Sequence, residues 1–84
     1  MTGTIIFRDE LTINQVEEGI SKLKMAIERW NNLVIDVTGV EKIDVAALQM
    51  LIAAKKDCLR NGKKLVFCIS DAVSSMSSLI GIQL

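Results

Sequence analysis

Histidine is absent from the 84 residues. With it go the commonest general base, the Ser-His and Cys-His nucleophile pairs, and zinc sites of the usual type. Aromatics are scarce, with Phe7, Phe67 and Trp30 but no tyrosine, and ten basic residues are cancelled by ten acidic ones. A neutral chain with so few stacking side chains lacks the footprint of a nucleic-acid binder. No apolar run approaches a membrane span, and the first residues have neither the basic nor the apolar region of a signal peptide. The expected compartment is therefore the cytoplasm, with no direct membrane insertion. There is no glycine-rich phosphate loop. Cysteine occurs only at Cys58 and Cys68, which read as two small buried hydrophobes in a reducing compartment rather than as redox or metal residues. No cofactor, metal or catalytic residue is expected. The best carboxylates for catalysis, Asp36 and Asp44, already have loop and capping roles.

What the chain does have is apolar residues: half of it is hydrophobic. That is enough for one core in a single domain spanning 1–84, close to the size at which one core is only just sufficient. The organising stretch is Leu33–Leu65. Leu33–Val37 has the length and β-branched content of a buried strand, and Thr38-Gly39 is expected to end it. Asp44 stands where a helix N-cap belongs, because its carboxylate can accept the free N–H groups of a first turn. A helix over Val45–Arg60 follows, closed by Asn61-Gly62, since glycine readily takes the left-handed conformation of a C-cap. Lys64-Leu65-Val66-Phe67 then opens another strand, running to Ile69.

Around this unit, Thr4–Phe7 reads as a first strand and Arg8-Asp9-Glu10 as a polar break. Thr12 and Gln15 have capping-box spacing. Ile13, Val16, Ile20, Leu23, Ile27 and Trp30 then recur at helical steps and are expected to form one buried stripe. After the last strand, Ser70 or Asp71 caps a short helix whose Val73, Met76, Leu79 and Ile80 are expected to face the core. Ser74, Ser75, Ser77 and Ser78 then form its solvated face. Alternating strands and helices imply an α/β layer with mostly parallel pairing and right-handed crossovers.

The central helix is apolar around most of its circumference. Ala47, Leu51, Ala54 and Cys58 form a strip suited to lying on a sheet, and Leu48, Ile52 and Leu59 a second one suited to a neighbouring helix. A third set, Ala46, Met50 and Ala53, flanked by Gln49 and Asp57, is expected to face away from both. Two readings stand for it: alanines are good helix formers in their own right, or the stripe is a partner-binding surface. Lys55, Lys56, Arg60, Lys63 and Lys64 gather at the helix C-terminus, where the dipole favours positive charge. An acidic partner is the other reading of that cluster.

The segments "IDVT", "GVEKIDVAAL" and the closing "SDAVSSMSSLIGIQL" resemble the STAS domain, the fold of bacterial anti-sigma factor antagonists, over nearly the whole chain. The resemblance implies a mostly parallel or mixed sheet of about four strands with helices chiefly on one face. In those antagonists the central helix begins Asp-Ser-Ser-Gly, and a kinase that doubles as an anti-sigma factor phosphorylates the second serine. Here Asp44 matches the Asp, Val45 the first serine, Ala46 the acceptor serine and Ala47 the glycine. Both hydroxyls are missing, so the usual switch is excluded at that position. Thr38 and the four C-terminal serines remain as other candidate acceptors.

The resemblance therefore implies a non-catalytic protein-binding module of a bacterial partner-switching system, with Asp44, Val45, Ala46, Gln49, Met50 and Ala53 as its partner-binding residues. Two other branches offer alternatives. One is the cytoplasmic partner of the ATPase in lipid-asymmetry ABC transporters, where the motif reads Asp-Thr-Ala-Gly. The other is a compact branch among chemotaxis proteins, similar around "DVAALQML". Ala46 agrees with both branches and Val45 with neither. The partner implied is an anti-sigma factor or kinase, a transporter ATPase or a chemotaxis component. A homodimer is the remaining partner reading.

Overall fold

Three strands and three helices alternate along the chain in a computed structural model that describes residues 2–84. The elements are β1 (Thr2–Leu11), α1 (Ile13–Arg29), β2 (Asn32–Ile43), α2 (Val45–Arg60), β3 (Lys64–Ile69) and α3 (Asp71–Leu79). The sheet has the order β1-β2-β3 and is parallel throughout. It contains three strands where about four were expected. The rows through Asn32–Asp36 cross all three strands, as in Thr4↔Val34↔Val66 and Ile6↔Asp36↔Cys68.

The first two strands are longer than their apolar runs. Thr38-Gly39 does not end β2, which continues to Ile43 opposite Leu11. Arg8-Asp9-Glu10 is likewise inside β1, not a break after it. The cost of admitting these polar residues is visible in two register shifts, between Ile6 and Arg8 and between Asp9 and Glu10. Asp9 takes a left-handed φ of 61°, a conformation that Asp tolerates better than most residues. β1 is an edge strand, so its charged side chains reach water without leaving the ladder.

The core lies between the sheet and the helices. Leu33, Ile35, Val37 and Val40 of β2 are buried against Ala47, Leu51, Ala54 and Cys58 of α2, the strip expected to lie on the sheet. Burial of this kind contributes about 25 cal/mol per Å2 of apolar surface. Leu48 joins it, whereas Leu59 of the same expected strip is exposed. The stripe on α1 is rotated from the expected one. Gly19, Leu23 and Ala26 are buried, while Ile13 and Ile20 are not. In α3, Val73 is buried as expected, but Leu79 is 82% exposed and Ser77 takes the buried place. Cys68 is exposed on β3, so only Cys58 is the buried hydrophobe anticipated for both.

Helix ends follow local chemistry closely. Gln15 accepts the Thr12 N–H at 2.9 Å, completing a capping box. Ser70 accepts the Val73 N–H at 3.2 Å and donates to the Val40 carbonyl at 2.7 Å, tying α3 to β2. At the other ends Gly62 and Gly81 take φ of 67° and 72°. There the Lys63 N–H reaches the Cys58 carbonyl and the Ile82 N–H the Ser77 carbonyl, the bond pattern of Schellman caps.

Candidate functional site

Because strands and helices run in opposite directions, the starts of the helices gather where β1 and β2 end. Asp44 sits at that junction. Its Oδ1 accepts the Ala47 N–H at 2.9 Å, capping α2 as expected. Its Oδ2 accepts the Ile13 N–H at 2.8 Å, so the same carboxylate also serves the start of α1. These two bonds, the Ala47 one foremost, hold its carboxyl below the ordinary carboxylate pKa. Further back in β2, opposite Cys68 near the end of β3, Asp36 Oδ1 accepts both the Thr38 hydroxyl (2.6 Å) and the Thr38 N–H (2.9 Å). That lowers Asp36 too and fixes Thr38 as a turn-like brace.

Glu10 stands at the start of α1. Its Oε2 accepts from Gln15 Nε2 at 3.1 Å and from the Thr12 hydroxyl at 3.0 Å, and those bonds lower its pKa. All three carboxylates are thus committed to hydrogen bonds in their charged form. They offer positioning and negative potential.

The residues expected to meet a partner do not share one face. Val45 is 44% exposed, Gln49 and Ala53 are exposed, and Asp44 and Ala46 are half-buried. Met50 is 6% exposed, which corrects its expected outward facing. Its Sδ lies 2.7 Å from where a Cβ on Gly19 would stand. The glycine expected only to weaken α1 is what lets Met50 enter the seam between the helices. The outward face is therefore Val45, Gln49 and Ala53, and Met50 forms the floor beside it.

Two residues missed by the sequence reading border this face. Ile13 was assigned to the core from its helical spacing, yet it is 64% exposed at the helix start held by Asp44. Ile20 is also exposed and, with Leu23, Ile27, Met50, Ala53 and Ala54, lines a groove of about 280 Å3 along the α1–α2 seam. The missed signal was Gly19. A glycine inside an amphipathic helix marks a close approach, and it turns the buried face away from its isoleucines.

The architecture matches solved structures of low sequence identity. The anti-sigma factor antagonist SpoIIAA in its unphosphorylated form superposes with a TM-score of 0.77 at 16% identity, covering 95% of this chain and 72% of that one. A sulfate transporter family protein from Wolinella succinogenes gives 0.73 at 14% identity, covering 95% and 66%. Among curated protein sequences none matches. The STAS domain family model matches residues 3–83. By that match over nearly its whole length, the chain belongs to the STAS domain family.

Proposed function

We propose that this chain is a non-catalytic, constitutive protein-binding module of a bacterial partner-switching system working in the cytoplasm. It resembles an anti-sigma factor antagonist in its frame but has Ala46 where the acceptor serine would stand. The observation that carries this reading is the start of α2. Asp44 ties it to the start of α1 by accepting one backbone N–H from each helix, it presents no hydroxyl between Asp44 and Leu48, and exposed Ile13 and Val45 flank it. Apolar side chains left in water beside a fixed helix end favour a docked protein over a small substrate. The docking residues are Ile13, Asp44, Val45, Ala46, Gln49 and Ala53, with Met50 supporting them from below.

A second reading is a regulatory subunit on a transporter ATPase, or a chemotaxis component. Ala46 favours it, being the residue those branches carry at the acceptor position. Both readings use the same face and differ in the partner.

The test is to capture the partner from the native cytoplasm, identify it, and titrate it with the parent and with Ala46→Asp. A carboxylate near a helix N-terminus gains about 0.3–1 kcal/mol from the dipole, offset by repulsion from Asp44 and by the poorer helix propensity of Asp. The variant is expected to melt within a few degrees of the parent. Docking would have to desolvate an unpaired charge, so affinity is expected to fall by about 3 kcal/mol, roughly a hundredfold. Equal affinity would rule this face out as the binding surface.

A further inference from the structure

The two margins of the sheet differ in what lies beside them. On β1, residues Thr2–Ile6 pair with β2 in unbroken register and carry no charge, while the register shifts and the charged residues begin only beyond them. Among the described residues no strand covers the outer side of β1. A flat, uncharged edge with free N–H and C=O groups is a template for another strand. The β3 margin is likewise uncharged over Leu65–Ile69, with Lys64 at its start. What sets β1 apart is a cleft running along its uncharged residues Thr4, Ile5 and Ile6.

Beside the β1 edge, α1 leaves an open cleft of about 400 Å3, bordered by Ile5, Lys22, Met25, Arg29 and Trp30. Met25 is 72% exposed, although it faces this apolar notch. Trp30 lies over Gly3 and Gly19 over Phe7, so Ile5 is level with α1 near Met25. Along the same side of the helix run Glu18, Lys22, Met25 and Arg29, with Glu18 pairing with Lys22 of its own chain at 3.5 Å. An antiparallel copy would bring its own Arg29 towards that same carboxylate.

We propose that the chain forms a twofold dimer by antiparallel pairing of its β1 edges, joining two three-stranded sheets into one. The dyad passes through Ile5, which opposes its own counterpart, and Thr4 opposes the partner's Ile6. Met25 packs against the partner's Met25. At 1.5 Å per residue, Glu18 and Arg29 lie about 10 Å and about 6 Å from Met25 on opposite sides, so each Arg29 comes within about a helical turn of the level of the partner's Glu18. The pairing is isologous and closes on itself, giving a dimer and not a filament. It uses the side of α1 opposite to Ile13 and Ile20, so it leaves the face around Asp44 free and stands or falls independently of it.

Sedimentation velocity on the purified full chain over a dilution series tests this. The parent is expected to show a monomer–dimer equilibrium. Met25→Lys sets two new positive charges at the dyad beside both copies of Lys22 and is expected to weaken dimerisation about tenfold or more. Its melting temperature, taken where both proteins are monomeric, stays that of the parent, because the site is exposed and Lys is a good helix former. Val66→Lys on β3 is the control and is expected to dimerise as the parent does. A parent that stays monomeric to its solubility limit would overturn the proposal. So would a Met25→Lys variant that dimerises normally, or a dimer abolished by Val66→Lys.

Discussion

Asp44 concentrates more structural work than any other side chain in the domain. It keeps two helix starts satisfied, and both bonds need the charged form. Its carboxyl is held below the ordinary value of 3.8, so its contribution is full above that pH and is lost as acidification carries the solution through the lowered folded value. Asp36 and Glu10, lowered by Thr38 and by Gln15 with Thr12, act in the same direction. Melting temperature measured against pH should therefore hold steady near neutrality and fall on the acid side. Asp44→Ala should lower it at neutral pH and flatten part of the acid fall. An unchanged acid limb would mean that Asp44 is not the residue being titrated.

Gly19 and Met50 form a second residue-scale unit. Alanine is better than glycine in a helix by about 1 kcal/mol. Here a Cβ at Gly19 would stand 2.7 Å from the Met50 sulfur, so the side chain must move and the gain is expected to vanish. Removing Met50 first should restore it. In urea denaturation, Gly19→Ala is expected to be neutral or destabilising in the parent but stabilising in a Met50→Ala background, a coupling of about 0.5–3 kcal/mol. Additive changes would separate the two residues.

At the scale of elements, α3 shows how far pattern reading goes. Val73 lies in the core and Ser70 caps the helix, both as its spacing implied. Leu79 and Ser77 are exchanged relative to expectation, because Ser77 stands one turn after buried Val73 on the same face while Leu79 lies about a third of a turn off it. The Ser77 hydroxyl is left buried with no partner. Ser77→Ala should thus stabilise the domain by about 1 kcal/mol, and Leu79→Lys should stay within about 0.5 kcal/mol of the parent, both by chemical denaturation.

The same division runs through the chain. Order of elements, parallel pairing and all three N-caps were legible, since they rest on neighbours in sequence. The length of β2 was not, because Gly39–Ile43 is a strand only by virtue of pairing with Arg8–Leu11. Nor was the facing of Met50, which is decided by Gly19 on a helix distant in sequence. The candidate face at the start of α2 was therefore drawn with Met50 pointing outward, where it is buried, and without Ile13 and Ile20, which are exposed.

As a whole molecule the chain is neutral, yet its charges are unevenly spread. Asp9, Glu10, Asp36, Glu41, Asp44 and Asp71 outnumber Arg8 and Lys42 where strands finish and helices begin, and Arg29, Lys56, Arg60, Lys63 and Lys64 outnumber Glu28 and Asp57 at the opposite end. Helix dipoles explain the sorting locally, while the sum is a field along the molecule. A partner docking around Asp44 then meets negative potential, and a basic partner would be steered to it. Stopped-flow association rates should fall as salt is raised from about 0.05 to 0.5 M, with dissociation little changed. Glu41→Lys should flatten that dependence. A rate indifferent to salt would assign the partner to the uncharged surfaces.

One carboxylate shared by two helix starts also ties their fluctuations together. The Ile13 and Ala47 amides hang from opposite oxygens of Asp44, so any motion that swings the side chain away releases both at once. Hydrogen exchange at these two amides should proceed through a common opening, with matched protection that collapses together in Asp44→Ala. A protein pressing on the start of α2 would thereby slacken the first turn of α1, and the domain would transmit contact between helices through a single hinge-pin side chain.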